Sequence, residues 1–209
     1  MLRTPPAVLV PVLVTVLLTA VLAGLVAPPV GALAPQPTAV SRQDPADDLA
    51  QTAADDTVLR PSVDVRRVGF RAAEQPRALV GRVRFEDLRT LVHPGGRRYR
   101  QYLSVLVSGV APSDIAYVIT RTPSAAGPSA TLVAGNAAAD CKGDAVTVDL
   151  AADTIGFRLP VRCLARAADG ADVDQVRLRV WSRGVRAYDD AEDPVGLDVT
   201  RRTASLSLP

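Results

Sequence analysis

The sequence has a single histidine, a single methionine, a single tryptophan and two cysteines, and aromatic residues make up only 4% of it. One histidine cannot furnish a multi-histidine metal centre, and two cysteines cannot complete a four-ligand structural zinc site. An excess of one charge is also missing: 24 basic residues stand against 22 acidic ones, a net charge of +2. A dedicated nucleic-acid binder concentrates a basic excess, so no nucleic-acid partner is expected. Lysine is nearly absent too, Lys142 being the only one among the 24 basic residues. With 48% hydrophobic and 22% charged residues, the 209-residue chain has a globular rather than a disordered composition.

What is present begins with an export signal. Arg3 is the only charge at the N-terminus, and from Ala7 to Ala27 the chain is filled with Val, Leu and Ala and carries no charge. A positive start, an apolar run and then small residues read as a secretory signal peptide, with Ala32-Leu33-Ala34 as its A-x-A cleavage site. Pro35 opposes cleavage at that bond, and a run of about 20 apolar residues is long enough to span a bilayer. Residues 1–34 are therefore read as a signal peptide or, alternatively, an uncleaved N-terminal membrane anchor. Either way the remainder is expected outside the cytoplasm, secreted or anchored, with this segment as its only membrane contact.

Residues 35–60 read as a disordered linker. They hold Pro35, Pro37 and Pro45 and the acidic pairs Asp47-Asp48 and Asp55-Asp56, with few large apolar side chains to offset the entropy of ordering. A solvated tether is expected; the alternative is an acidic tail for calcium or a partner.

From residue 61 to 203 the dominant period is two. Leu79, Gly81, Val83 and Phe85 alternate with Val80, Arg82, Arg84 and Glu86; Tyr99, Leu103, Val105 and Val107 with Arg98, Arg100 and Ser104; Val146, Val148 and Leu150 with Thr147 and Asp149; Ile155, Phe157 and Leu159 with Gly156 and Arg158; and Val176, Leu178 and Val180 with Arg177 and Arg179, while Ile115, Tyr117 and Ile119 form a further run of the same period. Each pattern is a strand with one buried and one wet face. Val63, Val65, Val68 and Phe70 change phase at Arg66-Arg67, which predicts a β-bulge. Leu132-Val133 and Leu197–Val199 suggest weaker strands. No long 3.6-residue stripe occurs after residue 60, and turn signals such as Pro94-Gly95-Gly96, Lys142-Gly143 and Asp169-Gly170 punctuate the chain. The expected fold is all-β, a single antiparallel β-sandwich of about 7–9 strands, with residues 204–209 as a C-terminal tail.

Cys141 and Cys163 are an even pair in an exported chain, so a disulfide is expected. A hairpin of 146–150 and 155–159 around Ala151–Thr154 would pair Val148 with Phe157 and Val146 with Leu159. That register turns Cys141 to the wrong face, so a bulge or turn at Lys142-Gly143 has to break the phase.

The candidate chemistry is sparse. His93 lies in a turn without a nucleophile elbow nearby, which argues against Ser-His-Asp catalysis. Arg97, Arg98 and Arg100 follow that turn and could grip a phosphate or an anionic wall polymer; solvated strand arginines are the simpler reading. Asp189, Asp190, Glu192 and Asp193 cluster in one loop that could supply oxygens to calcium, with Asp169, Asp172 and Asp174 forming a second acidic turn. Neither matches an EF-hand loop. Paired carboxylates for glycoside hydrolysis find little support, because the chain has only Glu74, Glu86 and Glu192 as glutamates. Trp181 and Tyr102 fall on outward phases and Tyr188 in a loop; together they could form an aromatic platform for sugar, or Trp181 could cap the core or stack under Arg179.

The segments Val63–Val68, Val83–Leu88, Cys141-Lys142-Gly143 and Arg158–Leu164 resemble small secreted β-sandwich proteins of GC-rich bacteria, proteins of unassigned function. The resemblance covers roughly residues 60–182 and implies the fold and the disulfide but no catalytic residue. It departs at His93–Gly96, where such proteins often carry an acidic turn, so no metal role passes to that loop. The chain thus reads as a secreted or surface-tethered, non-enzymatic module needing no cofactor and contacting an envelope component or another protein. The rivals are a calcium-dependent or carbohydrate-binding module and a hydrolase using loop carboxylates.

Overall fold

A computed structural model describes residues 37–45, 48–49, 51–52, 59–92, 98–110, 114–124, 127–187 and 192–209. The segment 1–34 lies outside them, and among the described residues no helix is long and apolar enough to cross a membrane.

The chain is mostly β. Two antiparallel sheets are built from β1 (Ala39–Gln43), β2 (Gln51–Thr52), β3 (Val65–Ala73), β4 (Ala78–Phe85), β5 (Arg98–Ser108), β6 (Ile115–Arg121), β7 (Ser129–Ala134), β8 (Ala137–Ala139), β9 (Ala145–Asp149), β10 (Thr154–Pro160), β11 (Gln175–Ala187), β12 (Glu192–Val199) and β13 (Leu206–Ser207). One sheet runs β1-β3-β4-β10-β9; the other runs β2-β12-β11-β5-β6-β7-β8, with β13 added to β11. Two short helices, α1 (Arg60–Val63) and α2 (Val161–Ala167), complete the described elements.

The period-two pattern sets the core. Leu79, Val83 and Phe85 of β4, Leu103, Val105 and Val107 of β5, Ile115, Tyr117 and Ile119 of β6 and Val176, Leu178 and Val180 of β11 are all buried, and both sheets contribute to one apolar cluster. Tyr117 of one sheet meets Phe157 of the other with ring centroids 5.4 Å apart. The Tyr117 hydroxyl donates to Asp144 Oδ2 at 2.7 Å. Burial first and this bond second hold the phenol well above its ordinary pKa. The phase change at Arg66 is the expected bulge: the β3–β4 register shifts between Val65 and Arg67.

Several elements depart from the sequence reading. Ala39–Gln43 falls inside the stretch read as a linker yet pairs with β3 as an edge strand. Gln51–Thr52 pairs with β12, and Leu59 is buried beside Val63, Leu91 and Tyr99. Edge pairing is made by main-chain hydrogen bonds, which leave little trace in side-chain pattern. The tail is ordered too, because Leu206 and Leu208 both bury their side chains. The short strands β1, β2, β8 and β13 account for the excess over seven to nine. Val63 closes α1 instead of opening β3. Helix α2 buries Val161, Cys163 and Leu164, with Ala168 following; the spacing 161, 164, 168 is a short helical stripe overlooked beside the stronger strands.

The β9–β10 hairpin is offset by two residues from expectation. Val146 pairs with Phe157 and Val148 with Ile155. Asp149 sets this register: its Oδ1 accepts from Ala151 N and Ala152 N, both at 3.0 Å, an Asx turn that starts one residue earlier. Leu150 is consequently in the turn and 42% exposed. A two-residue slip keeps every side chain on its face, so the inward pattern survives.

The disulfide joins Cys141 to Cys163 with Cα atoms 5.7 Å apart, consistent with an extracytoplasmic location. The phase break falls at the Lys142-Gly143 turn, where Gly143 has φ +92°, a left-handed conformation that favours glycine.

Candidate functional site

Alternate residues of the five-stranded sheet point away from the core. The registers line up Ser41, Gly69, Arg82, Gly156 and Thr147 in one row across the strands, and Ala39, Arg71, Val80, Arg158 and Ala145 in the next. An open depression of about 670 Å³ lies over these rows. Its lining includes three glycines, Gly69, Gly81 and Gly156, and three arginines, Arg71, Arg82 and Arg158. Gly81 is dictated by its partner: a Cβ there would stand 2.2 Å from the Phe157 ring. Arg71 and Arg82 are exposed, while Arg158 is half-buried and donates from Nη2 to the Pro76 carbonyl at 2.7 Å.

The basic face continues in the next row, where Arg67 lies directly opposite Arg84. Like charges opposed across a strand pair are unfavourable, and Asp44 and Glu86 line the same cavity as these two arginines. The lining of the depression includes no His, Cys, Asp or Glu among the described residues. It can therefore hold an anion through guanidinium forks, but it offers no general acid or base.

The outer face of the larger sheet brings together two surfaces that the sequence kept apart. Trp181 pairs with Ser104, and Arg183 with Tyr102. Trp181 and Tyr102 are therefore diagonal neighbours on one face, and Arg98 and Arg100 lie along β5 beyond them. Trp181 is 43% exposed in the middle of β11, so it does not cap the core. Tyr188 lies outside the described residues, as do His93, Arg97, Asp189 and Asp190. Glu192 and Asp193 begin β12, opposite Ala187 and Arg186. Asp169, Asp172 and Asp174 include one left-handed residue, Asp169 at φ +53°.

The structure gathers a different acidic group. A carboxylate oxygen from each of Asp44, Asp48 and Asp198 lies within 4.8 Å of the other two. Asp44 follows β1, where its N–H donates to the Arg66 carbonyl at 3.0 Å, and Asp198 belongs to β12. Asp198 is 1% exposed. Its Oδ2 accepts from Val65 N at 2.6 Å, and its Oδ1 is buried without a hydrogen-bond partner, as is Asp44 Oδ2. Asp64, also buried, stands 3.7 Å from the Arg66 guanidinium. Burial raises the Asp198 pKa to about 7; the Val65 N–H opposes this, and Asp44, Asp48 and Asp64 add to it. Asp44 is raised to about 6, first by burial and then by Asp48. Nothing in the sequence joins residue 44 to residue 198; the acidic 47–48 pair was the only signal.

A buried polar chain also escaped the sequence reading. Arg121 donates to Gln101 Oε1 and to the Arg89 carbonyl (3.0 Å), and Gln101 Nε2 donates to the Ser62 carbonyl. Burial lowers the Arg121 pKa to about 10. These bonds fasten α1 and the segment after β4 to the larger sheet, a positioning role. Neither a protein-family model, nor a curated protein, nor a solved structure matches this chain.

Proposed function

We propose that this chain is a secreted or surface-tethered, non-enzymatic β-sandwich module that holds an anionic glycan of the cell envelope in the arginine-walled depression of its five-stranded sheet. The observation that carries this reading is the row geometry: Arg71, Arg82 and Arg158 line one depression together with Gly69 and Gly156, which put no side chain of their own between a ligand and the backbone. An extended polymer fits a shallow trough crossing several strands better than a compact substrate does. Acidic groups along it would meet guanidiniums on neighbouring strands, which recur about every 4.8 Å. The sandwich arrangement is supported by the common core and the Tyr117–Phe157 contact between sheets. Export is supported by the apolar N-terminal run and the disulfide.

The test is titration of the secreted protein with alginate (a carboxylated glycan), dextran (a neutral one), polyphosphate and duplex DNA. Alginate binding that exceeds the other three supports the reading. Losing a charge-assisted hydrogen bond costs on the order of 1.5 kcal/mol, so Arg71→Gln with Arg82→Gln weakens alginate binding by at least about tenfold. Equal binding of DNA or polyphosphate would mean charge without glycan recognition and would overturn it. So would alginate binding unaffected by the two substitutions.

A further inference from the structure

We infer that Asp44, Asp48 and Asp198 form a calcium site that clasps the segment after β1 onto β12 of the other sheet. Three features carry this. The first is spacing. Calcium–oxygen distances are about 2.3–2.6 Å, so two oxygens on one ion stand no more than about 5 Å apart. The three carboxylates meet this limit, each pair lying within 4.8 Å. The second is the buried member. Asp198 is 1% exposed, and its Oδ1 is buried with no hydrogen-bond partner. A buried polar atom left unpaired is costly, and a cation between Asp198 and the two outer carboxylates would satisfy it. The third is the donor set. All three ligands are hard carboxylate oxygens with no nitrogen or sulfur, a set suited to calcium rather than to transition metals. Asp48 is exposed and Asp44 half-buried, which leaves a path for the ion and positions for water to complete its coordination.

The arrangement explains why a polar, proline-containing stretch stays docked. Asp44 and Asp48 come from the segment read as a tether, whereas Asp198 lies in the larger sheet and is fixed by Val65 N of β3. An ion between them would tie two separate chain segments together, with β3 already joined to Asp198 through Val65 N. This site shares no residue with the 189–193 loop and does not depend on the glycan reading.

Isothermal titration of the full secreted chain with calcium chloride, and separately with magnesium chloride, tests the site. A single class of calcium sites with Kd on the order of 10⁻⁴–10⁻³ M is expected, with magnesium weaker because it demands tighter octahedral geometry. Asp48→Asn, at an exposed position that leaves the fold intact, weakens calcium by about tenfold or more because it removes one ligand charge. Asp198→Asn abolishes binding, and Asp190→Asn leaves it unchanged. No calcium heat from the folded wild type at millimolar concentration would overturn the site. Loss of binding in Asp190→Asn but not in Asp48→Asn would place calcium in the 189–193 loop instead. Magnesium binding as tightly as calcium would overturn the assignment of the ion.

Discussion

The buried carboxyl of Asp198 makes a sharp prediction about pH. In the presence of a chelator, Asp198→Asn should stabilise the protein near pH 8 far more than near pH 5. The amide keeps the shape and keeps an oxygen for Val65 N, but it cannot ionise. In the native state burial raises the Asp198 pKa from 3.8 to about 7. The folded protein then holds this proton more tightly than the unfolded chain does. Stability from this group is present at low pH and is lost as pH rises through the folded pKa. Integrating between these two pKa values, the wild type loses roughly 2–3 kcal/mol relative to Asp198→Asn between about pH 5 and pH 8. Asp44 titrates in both proteins, so the difference between them reports the Asp198 carboxyl together with its coupling to Asp44. Urea unfolding of both at each pH, with the difference between variants compared across pH, reads the effect directly. A difference that stays constant from pH 5 to pH 8 would refute it, because Asp198 would then ionise as readily in the folded protein as in the unfolded one.

Two further outcomes concern the frame that carries the sites. Replacing both Cys141 and Cys163 by Ala releases a constraint spanning 22 residues, which the chain-entropy relation sets at about 3 kcal/mol; urea titration of oxidised wild type against the double variant measures it, and an unchanged midpoint would count against the relation here. Gly81→Ala places a methyl 2.2 Å from the Phe157 ring and should cost about 1–3 kcal/mol by overpacking. In a Phe157→Leu background the same substitution should cost clearly less; equal costs in a double-mutant cycle would mean the ring is not what excludes the methyl.

The legibility of the molecule divides along physical lines. Alternation every second residue is a local property, so the strands around Leu79–Phe85, Tyr99–Val107, Ile115–Ile119 and Val176–Val180, and the inward face of each, could be read from the chain. The bulge at Arg66-Arg67 was legible because it keeps Val65, Val68 and Phe70 on one side, and the phase break at Gly143 because the disulfide requires Cys141 to face Cys163. The disulfide followed from counting two cysteines in an exported chain. Edge strands were not legible, because main-chain pairing of Ala39–Gln43 with β3 needs no special side chains. The hairpin register was missed because a slip of two residues preserves the pattern and is decided by one Asx turn at Asp149. The candidate sites depended most on the tertiary structure. Arg71, Arg82 and Arg158 become one surface only when β3, β4 and β10 align, and Asp44 approaches Asp198 only when β1 and β12 are held by different sheets. A sequence records which side chains are buried, through local period. Which distant side chains share a cavity or an ion is set by strand order and register, and long-range packing alone decides those.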